Sequence, residues 1–249
     1  MNLSVFFIIC PLTFLAGLVD SIGGGGGLIS LPAFLISGLP PHSAIATNKL
    51  ASSVGTTVST IRYCKNGFWD RMLALPGIIM ALLGSFLGAR LVLLTSDAFL
   101  KRMMLIILPV VAVIVLLDKK EPEYDVSFPF PKRLLIVCIS AFVIGCYDGF
   151  YGPGTGTFLL LALTHIARMD VRTASGNVKL INLSSNIAAL VTFLMSGHVN
   201  LAYGLTGAFF CFAGHYVGSG LVIRNGSKIV RPVIVFVLIL LFVKVISGI

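Results

Sequence analysis

Apolar residues dominate this chain, and the places where they give way predict its elements. Runs of spanning character cover Met1 to Val19, about Met72 to Leu91, about Met103 to Leu117, Lys132 to about Asp148, about Leu201 to Leu221, and Ile229 to Ile246. Two further helices are polar for a membrane. The first, Ser43 to Ile61, carries Thr47, Asn48, Lys49, Ser52, Ser53, Thr56, Thr57, Ser59 and Thr60, and the second covers about Val171 to Met195. A helix this polar lines protein or water along one face, because lipid cannot satisfy it. Ser43 is placed to cap the first of them.

The sharpest interruption is the run of five glycines from Gly23 to Gly27. Each glycine costs a helix about 1 kcal/mol relative to Ala, so the helix ends there. The apolar run that follows, Leu28 to Leu39, holds 12 residues. As a helix it is about 18 Å long, short of a hydrocarbon core of about 30 Å. A half-helix that starts in glycine offers backbone amides at mid-membrane depth, an anion-binding geometry built from Gly24, Gly25 and Gly26. The competing reading is that the glycines only let helices approach closely.

The break occurs twice. Gly17 and Asp20 recur as Gly145 and Asp148, and IGGGGGLISLP recurs as YGPGTGTFLLL, with Gly152, Gly154 and Thr155 in the second break. Further on, Lys49, Gly67, Gly77 and Gly84 recur as Lys179, Gly197, Gly207 and Gly214, each pair 130 residues apart. The pattern predicts an all-α polytopic membrane protein of two homologous repeats, residues 1–117 and 132–249. Between them lies residues 118–131, where the composition shifts to DKKEPEYDVSFPFP. The first apolar run has no Lys or Arg ahead of it and has a counterpart in the second copy, so it reads as a retained helix rather than a signal peptide.

Composition agrees with a membrane location. The chain is 57% hydrophobic and 11% charged with a mean hydropathy of +1.03. Its formal charge of +9 is scattered singly in short loops, which argues against a nucleic-acid partner and makes the cations topology signals. Five cysteines show no CxxC spacing, so neither a disulfide framework nor a metal site is expected. If each repeat crosses five times, one side collects 12 loop cations. The other collects 4: Arg90, Lys101, Arg102 and Lys244. Four crossings per repeat would divide them 8 against 8. Only five crossings obey the positive-inside rule, and an odd number makes the repeats inverted, with both termini outside and the linker cytoplasmic.

Subtracting the loop cations leaves Lys49 and Lys179 within the membrane. Ser52 and Thr56 share the helix face of Lys49, and Asn182 and Asn186 share that of Lys179. A lysine at bilayer depth costs about 2.5–3.5 kcal/mol, so two symmetric copies suggest a use. Brought to about 6 Å, the two ammonium groups would repel by roughly 3 kcal/mol at a dielectric of about 20, which a bound anion would relieve. The alternative is that each lysine, about 9 Å from its helix start, snorkels to an interface. Asp20 and Asp148 stand just before the breaks, where they could pair with the lysines, carry a coupled proton, or cap the helix ends. His42, His165, His198 and His215 have no repeat counterparts and are read as interfacial.

The glycine break GGGGG-LISLP, the helix ATNKLASS, and the second-half motifs DGFYGPGTGTF and NVKLINLSSN resemble the TauE/SafE family of sulfite and organosulfonate exporters over nearly the whole chain. The resemblance implies a cytoplasmic-membrane permease for small sulfur-containing anions that needs no cofactor. It also implies that Asn48 and Asn177, beside the lysines, belong to the substrate site. An anion channel using the same site remains open. An intramembrane enzyme is disfavoured by the absence of HExxH, GxSxG and a GxGD-like aspartate pair.

The charge division yields a first prediction. Cysteine labelling within residues 118–131 reports the cytoplasm and labelling at either terminus reports the outside. A terminus found on the linker's side refutes the five-plus-five arrangement.

Overall fold

The computed structural model describes residues 3–100, 102, 103, 106, 124, 125 and 127–225. Most of the run at Met103 to Leu117, all of Ile229 to Ile246, and half of the 118–131 linker lie outside them. Regular structure among the described residues is helical: α1 (Leu3–Gly23), α2 (Gly27–Ile36), α3 (Pro41–Lys65), α4 (Arg71–Leu93), α5 (Phe130–Phe150), α6 (Thr155–Leu161), α7 (Val171–Met195) and α8 (Leu201–Asn225). A wider π-helical turn, Ala162–Ile166, extends α6. The order long, short, long, long therefore occurs twice. Five of the long helices, α1, α4, α5, α7 and α8, are apolar and long enough to cross a membrane.

Local chemistry sets the boundaries. Asp70 caps α4 by accepting from the Met72 amide at 2.9 Å, and Asp170 caps α7 by accepting from Arg172 and Thr173 at 3.0 Å each. Both α3 and α7 end on a glycine with positive φ, Gly67 at 71° and Gly197 at 73°. In each case the next amide reaches back to close the last turn, Phe68 to the Tyr63 carbonyl and His198 to that of Phe193. Two expectations shift. The first half-helix is Gly27–Ile36 rather than Leu28–Leu39, because Gly38, at a φ of 90°, forms the same terminus. Ser43 is not a cap: α3 starts at Pro41 with Pro40 ahead of it, where proline's fixed φ suits a first turn and no side-chain bond is made.

Packing is reciprocal between the two halves. α4 lies along α5 and also packs on α7, α8 lies along α1 and also packs on α3, and α3 meets α7. A Cβ added at Gly84 or Gly88 would fall on the carbonyls of Phe142 and Cys146, and one at Gly214 or Gly218 on those of Phe14 and Leu18. These helices touch backbone to backbone, as small residues allow in a medium where hydrophobicity gives no drive to associate. The outer faces are apolar: Phe7, Met72, Leu135, Leu205 and Phe209 are all exposed, while Lys49, Asp148, Asn177 and Lys179 are buried.

Contacts at the ends fix the helix directions. At one end the His42 ring, at the start of α3, meets Asp97 and His198, the latter just beyond α7. At the other, the Asp70 amide before α4 donates to Asn177 near the start of α7, and Arg172 stacks over Phe68 just beyond α3. So α3 and α7 are antiparallel. The second end also carries Arg133, donating to the Ala167 carbonyl, and Arg168, paired with Asp125 at 3.3 Å. Hydrogen bonds from Ser127 hold the Asp125 carboxyl below the usual range, so it remains an anion for these arginines.

The close crossings give a second prediction. Gly88→Ala puts a methyl on the Cys146 carbonyl and lowers thermal stability in detergent by about 1–3 kcal/mol. Leu87→Ala, on the exposed face beside it, leaves the melting temperature unchanged.

Candidate functional site

The two glycine breaks meet at the centre of the bundle. In the first, Gly24 and Gly25 take φ values of 80° and 88°. In the second, Gly152 and Gly154 take 96° and 87°, a region that side chains other than glycine's adopt only at a cost. The breaks touch through bare backbone: a Cβ on Gly156 would lie 2.9 Å from the Gly24 Cα, and one on Gly27 3.2 Å from that of Pro153. The Thr157 hydroxyl donates to the Gly23 carbonyl at 3.2 Å, and the Tyr147 hydroxyl to that of Pro153 at 2.5 Å.

Around this junction each buried lysine is paired with an aspartate from the other half. Lys49 Nζ on α3 lies 2.7 Å from Asp148 Oδ2 on α5 and donates to Asn186 Oδ1 on α7 at 3.1 Å. Lys179 on α7 donates to the main-chain carbonyl of Asp20 on α1, with its Nζ 3.7 Å from Asp20 Oδ2. Neither lysine snorkels, since both are almost completely buried. Their backbone positions stand apart: the Thr60 hydroxyl donates to the Lys179 carbonyl, and Thr60 is eleven residues beyond Lys49, about 16 Å along α3.

A small central cavity of about 20 Å³ is lined by Asp20, Gly25, Gly27, Asn48, Lys49, Ser52, Asp148, Gly152, Gly154, Thr155, Gly156, Asn182 and Asn186. That is room for about one water molecule. Of the residues singled out from sequence, Gly24, Gly26, Asn177 and Lys179 do not line it. Gly24 is pressed against the Gly156–Thr157 backbone and Lys179 stands behind Asp20. Asn177 instead accepts the Asp70 amide at 2.9 Å. Its counterpart by contact is Thr47, which accepts the Asn200 amide at 3.0 Å, so Asn48 and Asn177 occupy different environments. Asn48 accepts a 2.6 Å hydrogen bond from Ser30 on α2.

The amides of the first half-helix are not bare. Asp20 Oδ1 accepts from the Gly26 N–H at 3.1 Å, while the amides of Leu28, Ile29 and Ser30 turn back to the carbonyls of Gly25 and Gly26. The chain's own carboxylate occupies the position that the sequence suggests for an anion. Asn182 Oδ1, facing the cavity, has no hydrogen-bond partner among the described residues.

Two participants escape sequence reasoning. Ser185 donates to Asp148 Oδ2 at 2.7 Å. His215, read as interfacial, is instead buried, with Nε2 3.5 Å from Asp20 Oδ2 and Nδ1 3.0 Å from Ser59 Oγ. The signal available for it was the 130-residue offset, which sets His215 at the place of Ser85 in the first half.

Charged side chains held this deep in an apolar helical bundle, around breaks in its helices, belong to proteins that move polar solutes through membranes. This chain is such a multi-pass membrane transporter. It belongs to the TauE/SafE family: the family described as "Sulfite exporter TauE/SafE" matches residues 9–245. It is 35% identical over 238 residues to "Probable membrane transporter protein ORF9" of a Sinorhizobium species, covering 94% of this chain and 90% of that protein. With "Probable membrane transporter protein YfcA" of Escherichia coli K12 it shares 34% identity, over 94% of this chain and 86% of the relative. A "Probable membrane transporter protein" of Haemophilus influenzae is 29% identical over 99% of this chain and 96% of its own length. No solved structure matches at a significant level. The family and relatives point to a transporter of small molecules, not an enzyme.

The sealed ion pair gives a third prediction. Lys49→Gln leaves Asp148 buried without its counter-charge and destabilises the detergent-solubilised protein by about 3–5 kcal/mol. Adding Asp148→Asn recovers most of that loss. If the double variant melts no higher than the single, the pair is not what holds α3 to α5.

Proposed function

We propose that the protein is a secondary permease, working as an exporter, for small sulfur-containing anions such as sulfite and organosulfonates. Its site would lie where the two halves meet at the breaks. The observation that carries this reading is the exchange of partners between halves: Lys49 with Asp148 and Lys179 with Asp20. Ion pairs that cross an interface are broken and remade when one half rocks against the other, which is how a paired-break transporter exposes a fixed site to each side in turn.

The cavity favours this over a channel. At about 20 Å³ it is too small for an anion with three or more oxygens, so a substrate enters only when the breaks part. A channel needs a continuous path. The opposed directions of α3 and α7 support inverted repeats over residues 1–117 and 132–249. The arginines gathered near the starts of α5 and α7 support a cytoplasmic 118–131 linker with the termini outside. Sulfur chemistry and outward direction are supported by the family's description.

The test is efflux from proteoliposomes loaded with sulfite, thiosulfate, isethionate or a small carboxylate. Saturable efflux of the sulfur anions above that of the carboxylate is expected. Lys179→Gln is expected to weaken apparent affinity, and Lys179→Arg to retain more of it, since it keeps the charge in a different shape. Flux rising linearly with concentration selects the channel, and equal flux of the carboxylate removes the sulfur specificity.

A further inference from the structure

The two lysine–aspartate pairs share a plan but not a finish. Asp148 Oδ2 is satisfied twice, by Lys49 at 2.7 Å and by the Ser185 hydroxyl at 2.7 Å, and its side chain is 3% exposed. Asp20 is 15% exposed, and its Oδ2 is held only at a distance, 3.7 Å from Lys179 and 3.5 Å from His215. The difference is written at two positions. Ser185 and Ser85 stand 130 residues after Gly55 and 130 before His215, so where one half has two serines the other has a glycine and a histidine. The missing side chain makes room for the ring: a Cβ on Gly55 would lie 2.5 Å from His215 Cδ2.

The ring's two nitrogens have different partners. The Ser59 oxygen lies 3.0 Å from both His215 Nδ1 and the Thr56 carbonyl. With the Ser59 hydroxyl turned to that carbonyl, Nδ1 carries the ring's proton and the neutral ring presents the bare lone pair of Nε2 to the Asp20 carboxylate. In that arrangement two acceptors face each other at 3.5 Å, an unfavourable contact that one proton turns into a hydrogen bond. Other charged and titratable groups around the ring are Lys179 from α7 and Cys211 one turn earlier on α8. From α3, Arg62 is turned away to the ring and carbonyl of Tyr216, and Tyr63 donates to the Ser21 carbonyl on α1.

We propose that Asp20 and His215 form a proton-binding site, and that the proton bound there frees Lys179 and the Gly26 amide for an anionic substrate. This rests on the permease reading. Lys49, Lys179, Asp20 and Asp148 together carry no net charge, so an anion entering the site as it stands finds Asp20 already on the donors it needs. A proton between Oδ2 and Nε2 neutralises that carboxylate and leaves one positive charge uncompensated beside the cavity. Proton and anion then promote each other's binding and cross together, without net charge for a monoanion. Outward flux follows the anion's own gradient and carries acid with it.

Two measurements on the purified full-length protein in detergent test this. Nitrogen-15 NMR of the histidine rings, assigned by single His→Gln variants, is expected to show His215 as the Nδ1–H tautomer. Its signal should change with pH and with Asp20→Asn. A His215 signal that ignores both pH and Asp20→Asn overturns the proton site. Isethionate, whose sulfonate stays singly charged, serves as the anion for calorimetry. Wild type and a His198→Gln control should bind up to about tenfold more tightly per unit fall in pH across the titration. Asp20→Asn should bind independently of pH, and His215→Gln should weaken the dependence. Unchanged pH dependence in both variants overturns the coupling. If wild type binds no isethionate at any pH, sulfonates fail as substrates, while NMR still decides the proton site.

Discussion

A charge taken into the hydrocarbon core must bring its counter-charge with it, and the centre of this protein is arranged around that requirement. Lys49 and Lys179 lie on the two most polar helices, and each is neutralised by an aspartate placed just before a helix break in the opposite half. Removing one member of such a pair leaves a buried charge that costs several kcal/mol, so neither half can change its member alone. The reciprocal contacts of α4 with α5 and of α8 with α1 set these partners at the right depth.

The breaks are the second constraint. A helix interrupted in a membrane exposes backbone groups that water cannot reach, so they must be satisfied inside the protein. Asp20 does this for the first break, taking the Gly26 amide on its carboxylate while its own carbonyl receives Lys179. The same residue thus ends α1, starts α2 and balances a lysine on α7. Only glycine permits the two breaks to lie backbone to backbone, and the small cavity between them is what remains once they do. On the proposed reading, opening that cavity to a solute means separating the breaks and the ion pairs together, which would link passage of the solute to motion of the halves.

Near-symmetry at such a centre makes the departures from it informative. Ser185 closes one aspartate completely, while the glycine and histidine at the corresponding places leave the other loosely held. The two halves therefore offer their aspartates two different environments, one closed and one loosely held.

Much of this was legible in the sequence. Apolar runs gave the membrane class, five consecutive glycines marked the break, and recurrence between the halves pointed to Lys49 with Lys179 and to Asp20 with Asp148, because backbone entropy and the cost of a buried charge act locally. Helix ends followed less closely, since a proline start at Pro41 and a glycine terminus at Gly38 overrode the cap and length that local pattern suggested. What only the tertiary structure decided is pairing. Sequence distance does not say which aspartate reaches which lysine, that the lysines sit at different depths, that Asn177 turns to Asp70 rather than the cavity, or that His215 is buried against Asp20. Those outcomes depend on how antiparallel helices register against each other, which is set by backbone contacts at glycines more than a hundred residues apart.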